Sequence, residues 1–286
     1  MKILVTGATG FVGQHVTRWL VEHNYSVTAS GTSSKKAEKF DWYNDVEFKP
    51  CDYYNLDIDY LEYFDRPDIL IHLGWMNAYQ NTVELQLEKN LTKTINFLQN
   101  ISREGNLKIV GVGTSQEYGN VAGCLKEDQC VNPVTPYGVA KNTLRCYVEL
   151  LAKEKNIEWN WIRQFYLTGD GQNPKSLHGQ LASAIDNREK FFPMSGGEQL
   201  RDYIAVEQAA ENICKIALQN RVIGVVNSCT GNPRTLKEVV GEYISERQSD
   251  IEVKYGYYPY RDYEIMEQWG DTTKLNAALM SYDEQY

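Results

Sequence analysis

The chain has 286 residues, 42% of them apolar and 23% charged, which fits an ordinary globular protein of one large domain or two closely joined ones. Lysine and arginine number 29 against 38 aspartates and glutamates, a formal charge of −9; a general nucleic-acid or anionic-membrane binder is excluded, a local phosphate pocket is not. No apolar run approaches the roughly 20 residues of a membrane span, residues 1–7 are too short an apolar stretch for a secretion signal, and the six cysteines show no C-x-x-C or zinc spacing, so a cytoplasmic protein with reduced thiols is expected.

In chain order, 3–6, 26–29, 46–51, 68–73 and 107–112 are apolar runs of strand length, and 11–23, 55–64 and 83–103 between them read as amphipathic helices. This alternation predicts an α/β fold with a doubly wound parallel sheet covered on both faces. Pro136–Lys155 continues as a long helix and 157–165 as a strand; 206–219 and 222–228 form a further helix–strand pair. The alternation weakens after Phe165, with turn clusters at 169–174 and 193–197 and a tail at 255–263 carrying five tyrosines. The expected division is a main domain of 1–165, to which 204–230 return, and a smaller C-terminal lobe of 166–203 and 231–286. Ligands of such folds bind beyond the carboxyl ends of the strands.

Gly7, Gly10 and Gly13 sit between the first strand and first helix, in Gly7-Ala8-Thr9-Gly10-Phe11-Val12-Gly13. Glycines here permit a tight turn and close backbone approach, and the helix N-terminus then faces an anion, the arrangement of a Rossmann dinucleotide site; the alternative is a strand–helix turn with no ligand. At the end of the second strand, a carboxylate would hold the adenosine 2′-hydroxyl of NAD and repel the phosphate of NADP. That stretch instead reads Thr32-Ser33-Ser34-Lys35-Lys36. The missing acid predicts NADP(H) as the preferred cofactor with NAD(H) possible; the alternative for the lysines is a solvated basic loop. Asp52, after the third strand, is placed to contact the adenine edge.

Tyr137 and Lys141 stand four residues apart, on one face of the predicted helix. A tyrosine with pKa of about 10 is a poor acid–base catalyst at neutral pH, and a nearby ammonium lowers that value. The lysine can also hold a nicotinamide ribose. The alternative is an exposed helical pair.

Together these segments resemble the extended short-chain dehydrogenase/reductases, the NAD(P)-dependent sugar epimerase/dehydratase group. The resemblance runs nearly end to end: the glycine loop from Thr6, then Ile71-His72-Leu73-Gly74, Asn90, Thr114-Ser115-Gln116-Glu117-Tyr118-Gly119 and Pro136-Tyr137-Gly138-Val139-Ala140-Lys141. Later come Arg163-Gln164-Phe165-Tyr166-Leu167-Thr168-Gly169, Arg201-Asp202-Tyr203-Ile204 and Gly270-Asp271-Thr272-Thr273-Lys274. The resemblance implies that Thr114 holds the reacting sugar oxygen, that Tyr137 gives or takes the proton, and that Lys141 is its electrostatic partner. It implies cofactor contacts from Gly7, Thr9, Gly10, Phe11, Val12, Gly13, Thr32, Ser33, Ser34, Lys35, Asp52, Tyr53, Leu73, Gly74, Asn90, Tyr137, Lys141 and Phe165. Ser115, Gln116, Tyr166, His178, Arg201 and Arg261 are the implied substrate contacts, the two arginines gripping a diphosphate. The alternatives are an Arg201–Asp202 ion pair, a surface cation at Arg261 and a loop histidine making a structural hydrogen bond at His178. A homodimer through 83–103 and Pro136–Lys155 is implied as well.

Departures from the family's patterns narrow the reaction. A 4,6-dehydratase needs an acid pair directly after the catalytic threonine, where this chain has Ser115 and Gln116, and Glu117 falls one place late. Epimerase–reductases that use a thiolate carry cysteine where Gln116 stands. The resemblance therefore points to an NADPH-dependent reductase of a nucleotide-linked 4-keto-6-deoxyhexose, dTDP-linked first, in deoxysugar and surface-polysaccharide synthesis. A nucleotide-sugar 4-epimerase with bound NAD and a catalytically inactive NADP-binding regulator are the alternatives.

Overall fold

The computed structural model describes residues 1–260 and 264–285. Seven strands form the main sheet: β1 (Lys2–Thr6), β2 (Ser26–Gly31), β3 (Glu47–Pro50), β4 (Ile69–His72), β5 (Lys108–Thr114), β6 (Trp159–Gln164) and β7 (Gly224–Ser228). Their spatial order is β3-β2-β1-β4-β5-β6-β7, every neighbouring pair parallel. This is the doubly wound Rossmann sheet. The direction of winding reverses between β1 and β4, which opens a crevice beyond their carboxyl ends.

Side chains alternate across the sheet with period two. Ile3, Val5, Ile69, Ile71, Val110, Ile162 and Val226 pack on one face with Val16 and Leu20 of helix α1 (Phe11–Glu22), Ile213 and Ala217 of the Val206–Leu218 helix, and Leu275 and Ala278 of the Thr273–Asp283 helix. Leu4, Leu70, Ile109 and Trp161 face the other way, onto Phe97 and Leu98 of the Thr92–Ile101 helix and Leu144 and Val148 of the Pro136–Lys155 helix.

The five early strands and α1 form where the alternation places them. Pro136–Lys155 matches to the residue, because Thr135 caps its start, Pro136 occupies the first turn and Asn156 leaves it in the left-handed conformation. Two helices differ. Of 55–64 only Tyr60–Tyr63 is helical, capped by Asp59, because the chain first turns over the Asp52 carboxylate. The 83–103 segment is split: Glu84–Leu91 is a widened π-helix and Thr92–Ile101 is α-helical.

Above the carboxyl ends, Tyr166–Thr168 and Tyr203–Ala205 pair in parallel, setting Tyr166 opposite Tyr203. The Leu177–Asp186 and Leu236–Glu246 helices share a separate apolar cluster built on Leu181, Phe192, Met194 and Val240. No helix among the described residues is long and apolar enough to cross a membrane.

Candidate active site

One cavity of about 910 Å³ runs from the glycine loop to the Tyr203 strand. The ends of β1 and β4 are tied together by Thr6 Oγ1 and His72 Nδ1, 2.8 Å apart and buried. Burial, with Lys141 nearby, lowers the His72 pKa to about 3, so this link holds a neutral imidazole. Gly7 has φ +70°, and a Cβ there would stand 2.8 Å from the Gly74 amide nitrogen; a Cβ on Gly13 would collide with the Gly7 carbonyl. Only glycine permits both the turn and the packing. Gly10 caps α1 without a side-chain bond, and the first turn carries no acid. The free amides there, flanked by Gly7, Phe11, Val12 and Gly13 in the cavity wall, suit a dinucleotide's pyrophosphate.

At the end of β2 no acid faces this loop. Ser33 accepts from the Lys36 amide and caps the short Ser34–Ala37 helix, which puts Lys36 on the cavity wall. Thr32, Ser33, Ser34 and Lys35 lie beside it without lining the cavity, and Thr9 is buried against Gly31. Three expected cofactor contacts commit their side chains elsewhere. Asp52 closes its own turn, accepting from the Tyr54 amide at 3.2 Å and from Asn55 Nδ2 at 2.6 Å. Tyr53 is buried and donates to the Gly74 carbonyl at 2.7 Å. Asn90 donates to the Met76 carbonyl at 2.8 Å. Tyr53 and Asn90 therefore act on the cavity through the backbone after β4, where Leu73 lines it and Gly74 lies just behind.

Thr114, Tyr137 and Lys141 all line this cavity, with Ser115, Gln116 and Phe165. Thr114 ends β5 and caps the single turn Ser115–Tyr118. Glu117, fully buried, takes the Thr114 amide at 3.0 Å, the Trp161 indole at 2.9 Å and Arg163 Nε at 3.0 Å. It lies behind the wall and does not line the cavity. Lys141 Nζ donates to the Val112 carbonyl at 2.9 Å and stands 5.9 Å from the Tyr137 ring centroid. Burial pushes the lysine down to about 7. Burial likewise raises the Tyr137 phenol, with Glu117 and Tyr79 adding to it. This differs from the lowering expected from the lysine: desolvation outweighs the ammonium here, and the phenol is held as a proton donor at neutral pH.

On the substrate side, Tyr166, His178 and Arg201 all line the cavity. His178 lies in the first turn of the Leu177–Asp186 helix and not in a loop, edge-on to the rings of Tyr203 and Tyr243. Burial and then Arg234 depress its pKa. Arg201 pairs with Glu264 at 3.0 Å and not with Asp202, whose carboxylate accepts from Thr230, Gly231 and Gly270. Arg261 lies outside the described residues.

Several lining residues had no motif to announce them: Trp75, Tyr79, Gln199 and Glu264; Lys36 and Gln164 stood inside quoted stretches without a role of their own. Trp75 follows Gly74 directly, and an aromatic at a strand's carboxyl end is the signal that marks it. Gln164 and Gln199 each bury a side-chain oxygen with no partner among the described residues.

A 4-dehydrogenase of dTDP-6-deoxy-L-talose, named as NAD(+)-dependent, from Aggregatibacter actinomycetemcomitans is 28% identical over 276 residues, covering 94% of this chain and 99% of that protein. The same organism's GDP-6-deoxy-D-talose 4-dehydrogenase is 24% identical, covering 98% and 91%. In fold, a UDP-N-acetylglucosamine 4-epimerase from Methanobrevibacter ruminantium M1, solved with UDP-N-acetylmuramic acid, superposes with a TM-score of 0.85 at 24% identity, over 97% of this chain and 91% of that one. The profile of the NAD dependent epimerase/dehydratase family matches residues 3–227, the stretch that supplies the glycine loop, Thr114, Tyr137 and Lys141. With that span matched, more than half of its length, the chain belongs to the NAD dependent epimerase/dehydratase family.

Proposed function

We propose that this protein is an oxidoreductase acting at C4 of a nucleotide-linked sugar, reducing a 4-keto-6-deoxyhexose with NADPH, dTDP-linked substrate first. The observation that carries the reading is the convergence of Thr114, Tyr137 and Lys141 on the cavity that begins at the glycine loop. A bound nicotinamide supplies the hydride. The Tyr137 phenol gives its proton to the C4 oxygen, and the Thr114 hydroxyl holds that oxygen where negative charge develops. Lys141 offsets the phenolate left behind. Glu117 is engaged by Thr114, Trp161 and Arg163, and Ser115 and Gln116 line the wall, which supports simple reduction over elimination of water.

The relative named as a dTDP-6-deoxy-L-talose 4-dehydrogenase supports the same carbon and sugar class, with the reaction written in the oxidative direction. That name carries NAD(+); the NADP(H) preference proposed for this chain rests on its own β2 end, where an acid is missing and Lys36 reaches the cavity. In this reading 1–165 and 204–230 hold the cofactor, 166–203 and 231–286 form the substrate lobe, and a homodimer forms in the cytoplasm through 83–103 and Pro136–Lys155. Parallel titrations with NADPH and NADH test the cofactor, and supply of a dTDP-linked 4-keto-sugar tests the reaction. Protein purified with captive NAD that interconverts C4 epimers without net cofactor use is the result of a 4-epimerase.

A further inference from the structure

Trp75 stands beside the catalytic pair. Its ring meets Tyr137 edge-on, 6.2 Å between centroids, and Lys141 Nζ lies 4.0 Å from its centroid. The indole is pinned: Nε1 donates to Gln86 Oε1 at 2.7 Å. Gln86 is fully buried and spends its own amide on the carbonyls of Asn77 at 3.1 Å and Gln80 at 2.8 Å. Asn90 adds bonds to the Met76 carbonyl and to Gln86 Oε1 at 3.1 Å. Both amides come from the π-helical Glu84–Leu91, a widened turn of the kind that collects at functional sites. Two buried side chains thus hold one short loop, and that loop holds one bulky ring at the reacting end of the cavity.

We infer that Trp75 is a fixed wall of the sugar chamber that admits the ketone in one orientation, so that hydride adds to a single face of C4. The inference rests on the function proposed above and adds what decides its stereochemistry. An epimerase takes hydride from one face of C4 and returns it to the other. With Tyr137 and the hydride source both fixed, the sugar ring must turn over inside the chamber, which needs width beside the tyrosine. Swinging the indole away would break its bond to Gln86 and leave Asn90 Nδ2 as the donor still on that buried oxygen, which opposes the movement. The reduction itself balances: the C4 carbonyl gains hydride from NADPH, which becomes NADP⁺, and a proton from Tyr137, which is refilled from water.

The test supplies dTDP-4-keto-6-deoxyglucose and NADPH to wild type, Trp75→Ala, Trp75→Phe and Gln86→Met, and reads the C4 configuration of the product by proton NMR. Wild type is expected to give one epimer, and Trp75→Phe, which keeps a ring but loses the Nε1–H bond to Gln86, to leak less than Trp75→Ala. Trp75→Ala is expected to give both, the minor one at about a tenth of the product or more, since steric discrimination of this kind is modest per group removed. Gln86→Met frees the ring without removing it and is expected to leak less; it carries the test if Trp75→Ala does not fold. A Trp75→Ala enzyme that consumes NADPH and still makes one epimer overturns the wall alone. Wild type that turns over no keto-sugar overturns the functional reading and the wall with it.

Discussion

Glu117 Oε1 accepts the Thr114 amide at 3.0 Å while its Oε2 accepts Arg163 Nε at 3.0 Å, so this cavity-lining threonine hangs from a buried ion pair. The side chains of Glu117 and Arg163 are 0% and 3% exposed. Removing one partner strands the other as an uncompensated charge. Glu117→Ala is expected to lower stability by about 3–5 kcal/mol. Urea unfolding checks this; an unchanged midpoint would show that the pair holds nothing up.

The sequence made the sheet, the glycine loop and the Tyr137–Lys141 pair legible because each depends on short-range pattern: period-two alternation, glycines at a strand–helix junction, and spacing of four on a helix. It did not expose what depends on long-range packing. The turn of Glu117 into the core needs Trp161 and Arg163 from β6, more than 40 residues away. The partner of Arg201 is Glu264 from a distant segment, where adjacency had offered Asp202. The π-helix at Glu84–Leu91 has ordinary amphipathic spacing, and its function lies in the loop that it clamps. Lys36 differs from Lys35 only in which side of a four-residue helix it occupies, a matter fixed by the Ser33 cap.

Tyr137→Phe removes the proton donor and keeps the ring against Trp75. Turnover is expected to fall by about 10²–10⁴. Thr114→Val is expected to cost about 10²–10³ through the lost hydroxyl at the developing alkoxide. Cofactor affinity by calorimetry should change little for Thr114→Val. Wild-type turnover in Tyr137→Phe would remove that residue from its role.

Burial holds Lys141 at about 7, against its ordinary 10.5. Below about 7 the folded enzyme keeps the cation that supports Tyr137, and above it the cation is lost. For ketone reduction, kcat/KM of the free enzyme is expected to fall as pH rises through about 7. The stability sign is opposite. Between about 7 and 10.5 the unfolded chain binds this proton and the folded chain does not, so this lysine's contribution to stability rises with pH across that window. Lys141→Met should flatten both trends, as stopped-flow rates and urea melts at several pH values would report.

Lys36 reaches the cavity from a β2 end that carries no acid. Lys36→Glu is expected to weaken NADPH binding by about tenfold or more, the worth of one hydrogen bond to a charged group, and to leave NADH binding within a few fold. Equal losses for both cofactors in fluorescence titrations would place Lys36 away from the 2′-phosphate.

The 4-keto-reductase activity is decided by a nicotinamide absorbance assay with dTDP-4-keto-6-deoxyglucose generated in place, run in parallel with NADPH and NADH. NADPH is expected to be oxidised, faster than NADH, in step with loss of the ketone and formation of a 6-deoxyhexose that carries a hydroxyl at C4. Folded protein that oxidises neither cofactor, or that carries captive NAD and exchanges C4 epimers with no net oxidation, would contradict it.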